Sequence, residues 1–306
     1  MKISVTGGAG FIGRHLVSSL LNNGYQVTIF DNLSNSSQNK ITDLTENGAK
    51  FVKGDILDYK SVLKLVKGID FVIHLAAKIN VRESIAFPEK THDVNVTGSL
   101  NLLRACVEQK VHNIVYASSA AVYGDCRTTI KESSTTVPIS PYGASKLATE
   151  HYMQAFSHSY KLNSISLRFF NVYGLGQSDS YAGVIKKFME NIARNRTLEI
   201  FGDGYNTRDF VAIEDVVQAI QKAIKNIDGK NGHYYNIASG KKITIRNLAK
   251  LMISLSGKNI QVTHKNPRKG DIRYSEASIS LAKKELGYVP KIKLESGLKK
   301  LMSLAK

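Results

Sequence analysis

The chain has 306 residues, enough for a large buried core, and its 42 Lys and Arg against 25 Asp and Glu give a formal net charge of +17. That charge suits an anionic partner, but the lysines form no run longer than pairs such as Lys186-Lys187 and Lys299-Lys300 and do not interleave with aromatics. A solvated basic surface is expected, with no nucleic-acid partner. Cys106 and Cys126 have no metal-like spacing, and the eight histidines form no HxH or HExxH cluster, which argues against a zinc site or a disulfide framework.

The amino terminus, "MKISVTGG", runs directly into a strand and a glycine turn, and no stretch approaches about 18 uninterrupted apolar residues. A soluble cytoplasmic protein without membrane association is expected. Short β-branched runs then alternate with helical patterns: "KISVTG", a helix from about Gly10, "QVTIFD", "KFVKGD", "DFVIHLAA", a helix near 84–109, "NIVYASS", a helix near 141–160 and "SISLRFF". Repeated βαβ rhythm of this kind predicts an α/β fold with a doubly wound parallel sheet of the Rossmann type. After Asn171 the pattern loosens, predicting a smaller, mostly helical carboxy-terminal substrate region. The expected division is residues 1–172 for a dinucleotide and 173–306 for a substrate, the second part interleaved with late strands of the main sheet.

"VTGGAGFIG" places Gly7, Gly10 and Gly13 between the first strand and the first helix. Glycines there let backbone N–H groups approach a pyrophosphate at the helix's positive end. Asp31, closing the second strand, is positioned to hold adenosine ribose hydroxyls, and its carboxylate repels the 2′-phosphate of NADP. The following "NLSNSS" offers no arginine to receive that phosphate, so NAD is the expected cofactor. Asp55, in "KGDI", suits either the adenine amino group or a turn and cap.

"SPYGASK" puts Tyr142 in the first turn of a helix capped by Ser140 and started by Pro141, with Lys146 one turn later on the same face. An ammonium near a phenol, together with the helix N-terminus, is expected to lower the phenol's pKa toward neutrality and make Tyr142 a general base toward an alcohol. Ser119, at the carboxyl end of the fifth strand, is placed where doubly wound sheets bind ligands.

Nearly the whole chain resembles the extended short-chain dehydrogenase/reductase family, and within it the UDP-sugar 4-epimerases. The matching stretches include "TGGAGFIG", "HLAA", "NVTGSLNLL", "SSAAVYG", "PYGASK", "RFFNVYG", "FGDGYNTRDFVAIEDVV", "YNIASG" and "PRKGDIRYS". The resemblance implies a tightly held NAD and hydride removal from sugar C4 while Tyr142 takes the hydroxyl proton. A transient 4-keto sugar, turned over within the site, then recovers its hydride on the other face. It implies Ser119, Tyr142 and Lys146 as the catalytic residues, with Lys146 also holding the nicotinamide ribose.

Around the cofactor it implies Gly7, Gly10, Phe11, Ile12, Gly13, Asp31, Asn32, Asp55, Ile56, Leu75, Ala76, Ala77 and Asn95, together with Tyr142 and Lys146. For the UDP-sugar it implies Ser119, Asn171, Phe201, Arg208, Arg268, Asp271 and Ser275. The family's lysine after the fourth strand falls at Lys78, about one position displaced, and is left without a role. Related 4,6-dehydratases carry an acidic pair after the Ser/Thr where this chain has Ala120 and Ala121, which disfavours dehydration. Ser275, in place of a bulky gate, implies room for an N-acetyl group, so UDP-GlcNAc/UDP-GalNAc join UDP-Glc/UDP-Gal as expected substrates. The resemblance also implies a homodimer packed through the helices near 84–109 and 141–160. The same-fold alternative is a UDP-glucuronate decarboxylase or a reductase, and the distant alternative a non-catalytic RNA- or protein-binding member.

Overall fold

A computed structural model describes residues 1–177, 183–267 and 272–304. Its strands are β1 (Lys2–Thr6), β2 (Gln26–Asp31), β3 (Lys50–Lys53), β4 (Phe71–His74), β5 (Asn113–Ser119), β6 (Asn163–Phe169), β7 (Asn171–Tyr173), β8 (Leu198–Phe201), β9 (Thr207–Ala212), β10 (Asn231–Ile237), β11 (Lys242–Thr244) and β12 (Val262–Lys265). Seven of them form one parallel sheet in the order β10-β6-β5-β4-β1-β2-β3. The order reverses at β1, so the first crossovers leave a crevice at the strands' carboxyl ends.

Helices cover both faces of this sheet, which is why β4 is apolar throughout Phe71-Val72-Ile73 and buried along its whole length. On one face the helices Phe11–Asn22, Ile213–Lys225 and Ser280–Leu286 pack through Leu16, Leu20, Val216, Ile220 and Leu286. On the other, Tyr59–Val66, Gly98–Glu108 and Pro141–Tyr160 contribute Val62, Leu102, Leu103 and Met153. A separate core forms among the helices Val184–Ala193, Ile245–Ser256 and Leu294–Leu304 and the strands β8 and β9. Here β9 pairs with β7 and β11, and β8 with β12.

The stretch expected as one helix near 84–109 is broken. It forms Val81–Ala86 and Pro88–His92, then a π-helical turn at Asp93–Thr97, then Gly98–Glu108. Phe87 leaves the helical region (φ −138°, ψ 68°) because the ring of Pro88 disfavours α geometry at the preceding residue. The π turn carries Asn95, whose buried side chain reaches back to the segment after β4.

Candidate active site

A continuous cleft of about 660 Å3 runs along the carboxyl ends of the strands, from the glycine loop to β8 and β9. Gly7 opens it with φ +68°, a conformation that L side chains rarely adopt, and a Cβ there would stand 2.7 Å from the Ala76 nitrogen. A Cβ on Gly13 would meet the Gly7 carbonyl at 2.5 Å, so the first helical turn lies flat on the loop. The helix Phe11–Asn22 has Gly10 as its N-cap, a residue with no side chain to bond the first amides. Those N–H groups and the helix dipole are available to a pyrophosphate.

Asp31 projects from the end of β2. One carboxylate oxygen accepts the Ala9 N–H at 3.1 Å and the other the Leu33 N–H at 2.8 Å. Each oxygen retains a lone pair for a ribose hydroxyl. Burial pushes the Asp31 pKa up, and the two backbone bonds oppose that rise. Asn32 donates to Asp55 at 2.8 Å, and Asp55 accepts the Leu57 N–H, so the expected adenine-side residues are tied to one another. Glycine loop, uncapped helix and half-buried carboxylate form a donor and acceptor set that fits NAD.

The second half of the cleft holds the expected reacting groups. Ser140 caps the helix Pro141–Tyr160 by accepting the Gly143 N–H at 3.1 Å, which aims the first turn at the end of β5. Tyr142 lies there beside Ser119, whose Oγ accepts the Ala121 N–H. Lys146 is buried and sends its Nζ to the Ala117 carbonyl at 2.8 Å, 5.9 Å from the centre of the Tyr142 ring.

The expected activation of the phenol is not what this geometry produces. Burial raises the Tyr142 pKa, with the neighbouring Ser119 hydroxyl opposing it. Burial lowers Lys146 instead, to about 7, against the pull of Glu150. The reason is that Lys146 spends its ammonium on a backbone carbonyl rather than on the phenol oxygen, while desolvation acts on both.

Beyond Tyr142 the cleft is lined by Asn171, Phe201 and Arg208. Asn171 donates to the Asp209 carbonyl, and Arg208 donates to the carbonyls of Thr207 and Ile272, each at 2.7 Å. All the expected cofactor residues other than Asn95 line the cleft: Gly7, Gly10, Phe11, Ile12, Gly13, Asp31, Asn32, Asp55, Ile56, Leu75, Ala76, Ala77, Tyr142 and Lys146. Asn95 is 1% exposed and is absent from the lining. Its amide instead grips both the N–H and the carbonyl of Lys78 and donates to Ser145 Oγ, so it shapes the cleft wall from behind. Ser275 is likewise buried behind the lining, its N–H donating to Thr207 Oγ1 at 3.2 Å. Arg268 and Asp271 lie outside the described residues. Lys78, Gln177 and Asn206 line the cleft without having been singled out for a role from the sequence. Lys78 had been set aside for its register, and the other two lie in polar loops whose spacing carries no signal.

A profile of the NAD dependent epimerase/dehydratase family matches residues 3–238. The chain belongs to that family. It is 37% identical over 308 residues to a putative UDP-glucose 4-epimerase of Methanocaldococcus jannaschii, covering 99% of this chain and 98% of the relative. Among solved structures it matches UDP-glucose 4-epimerase of Thermotoga maritima with UDP-glucose, at a TM-score of 0.93 and 36% identity over 99% and 98% of the two chains. UDP-N-acetylglucosamine 4-epimerase of Methanobrevibacter ruminantium in complex with UDP-N-acetylmuramic acid also superimposes at a TM-score of 0.93, with 34% identity over 99% and 97%.

Proposed function

We infer that this chain is an NAD-dependent 4-epimerase of UDP-sugars, interconverting UDP-glucose and UDP-galactose through a transient 4-keto sugar. The carrying observation is the convergence of Ser119, Tyr142 and Lys146 at the end of β5, in the same cleft as Asp31 and the glycine loop. Bound NAD supplies a reversible hydride acceptor that is restored within each turnover.

The glycine loop and the first turn of Phe11–Asn22 hold the pyrophosphate, Asp31 the adenosine ribose, and Lys146 the nicotinamide ribose. Tyr142 Oη takes the proton of the C4 hydroxyl and later returns it, in the phenolate form that the positive charge of a bound oxidised nicotinamide would favour against the effect of burial, and Ser119 Oγ hydrogen-bonds the C4 oxygen. Proton and hydride each leave and come back, so the sugar is inverted at C4 with no net oxidation. Ala120 and Ala121 supply no further acid or base, which supports epimerisation over dehydration.

Residues 1–172 serve the cofactor and 173–306 the nucleotide sugar, with Arg208 on the diphosphate and Phe201 beside the uracil. Amino sugars are the second substrate pair, a reading supported by the likeness to the UDP-N-acetylglucosamine 4-epimerase rather than by Ser275, which stands behind the lining against Thr207. Two copies pair through the helical segments near 84–109 and the helix Pro141–Tyr160, a reading supported by the exposed apolar side chains of Ile85, Phe87, Tyr152 and Tyr160. No described helix is long and apolar enough to cross a membrane.

The test is proton NMR of the purified protein, without added reductant, incubated separately with UDP-galactose, UDP-GalNAc and UDP-glucuronate, beside Tyr142→Phe. The expected result is the C4-inverted sugar at a fixed equilibrium ratio, lost in the variant. UDP-xylose or an accumulating keto sugar would replace this reading with decarboxylation or dehydration.

A further inference from the structure

Behind the cleft lies a buried charged network that the chemistry above does not use. Glu150 and Arg168 are each 2% exposed. Arg168 donates through Nε at 2.9 Å and through Nη2 at 2.6 Å to the two carboxylate oxygens of Glu150. Its Nη1 donates to the Tyr123 hydroxyl at 2.7 Å, and that hydroxyl donates to Asn236 Oδ1. The ring of Tyr234 covers the guanidinium at 3.9 Å.

Glu150 follows Lys146 by four residues on one helix and therefore shares its face. Its remaining partner is Ser118, whose Oγ donates to Oε1. Ser118 stands between two residues that the reaction needs. Ala117 on one side accepts the Lys146 ammonium, and Ser119 on the other meets Tyr142. In the sheet, Arg168 is the register partner of Ser118 across β5 and β6. One carboxylate thus joins the strand end bearing Ala117 and Ser119 to the helix bearing Tyr142 and Lys146.

We propose that Glu150, clamped by Arg168 and Ser118, is a positioning residue that sets Ser119 and Lys146 at working distance from Tyr142. Stability gives no sufficient reason for the network. A buried ion pair costs desolvation, and well-packed apolar side chains in its place are commonly as stable or more so. The backbone of β5 and β6 is already paired through Ser118 and Arg168, so the fold does not need the extra tie. What the tie adds is a fixed register between strand end and helix.

Charge works in the same direction. The groups facing Lys146 are Tyr142 and Glu150 from its own helix, Tyr116 from β5 with its ring 4.8 Å away, and His74 from β4. Burial holds His74 neutral, its pKa near 3, so Glu150 is the carboxylate that keeps the Lys146 ammonium in place. Without it the ammonium is lost at lower pH.

The inference rests on the roles assigned to Ser119, Tyr142 and Lys146, and three variants of the NAD-loaded enzyme separate the two. For Glu150→Gln we expect kcat for UDP-galactose to fall about tenfold or more with KM within about twofold. Its alkaline limb of kcat should move down by about half a pH unit or more. For Ser118→Ala, which keeps both charges and removes only the strand tie, kcat should fall roughly threefold to tenfold with the limb unmoved. Bound NAD per chain, read from the denatured protein, should match wild type in both.

Wild-type kcat and an unmoved limb in Glu150→Gln overturn the proposal. If Glu150→Gln does not fold, Ser118→Ala decides alone, and wild-type kcat there is again an overturning result. Tyr142→Phe is the control: full turnover in it means that the assigned catalytic roles are wrong, whereas loss of turnover beside unaffected Ser118→Ala and Glu150→Gln removes only the positioning role.

Discussion

A methyl group on Gly143 would stand 2.5 Å from the carbonyl oxygen of Ala121. The helix Pro141–Tyr160 therefore rides directly on the turn after Ser119, and the absent side chain is what lets Tyr142 reach that serine. Gly143→Ala should push helix and turn apart and lower kcat by about tenfold to a hundredfold, with a smaller change in KM. Steady-state kinetics with UDP-galactose checks this, and unchanged kcat would show that the close approach is incidental.

Lys146 carries a burial cost that depends on pH. Its pKa is lowered to about 7 in the folded chain, whereas an unfolded lysine stays protonated to far higher pH. Between those values the unfolded chain binds more protons, so this lysine's cost to stability is full below about pH 7 and shrinks as pH rises. Lys146→Met should be inactive yet raise Tm by a few degrees at pH 6, with a smaller gain at pH 8.5. Calorimetry on both proteins freed of nucleotide is the measurement, and a gain that grows with pH would contradict the burial argument.

Asp31 should govern both the strength and the choice of dinucleotide. Asp31→Ala removes two ribose acceptors and the repulsion of a 2′-phosphate. Retained NAD after gel filtration should drop about tenfold, and the NAD preference over NADP should narrow by a similar factor. Because burial raises the Asp31 pKa, NAD retention by the native protein should begin to weaken on acidification at a higher pH than an ordinary carboxylate would allow. Titrating bound nucleotide against pH tests that sign.

Arg208 offers a test of the substrate half alone. Arg208→Ala should raise KM for UDP-galactose about tenfold or more while leaving bound NAD unchanged. Its Nη1 is already bonded to two backbone carbonyls, so a fall in Tm accompanies the loss. Equal loss of NAD and substrate affinity would place Arg208 in the wrong half of the cleft.

Much of this protein is local in origin and was legible without coordinates. Gly7 and Gly13 announce a strand-to-helix turn because positive φ at the first and close backbone approach at both exclude other residues. Ser140 and Pro141 announce a helix start because capping and a preset φ act within one turn. The long helix expected near 84–109 was less readable: Pro88 breaks it at Phe87, and a π turn, which has no reliable sequence signature, carries Asn95 inward.

By itself the amino-acid sequence determined the parallel α/β layering, the glycine turn between the first strand and the first helix, the acidic residue closing the second strand and the order of Ser119, Tyr142 and Lys146 along the chain. These depend on residue type, periodicity and spacing. Only the tertiary structure decided that Asn95 and Ser275 stand behind the cleft wall. It also showed that Lys146 binds a backbone carbonyl while burial raises the Tyr142 pKa, and that Glu150 joins Ser118 to Arg168. Those outcomes depend on which groups meet across long sequence separations and on how much water is removed when they do.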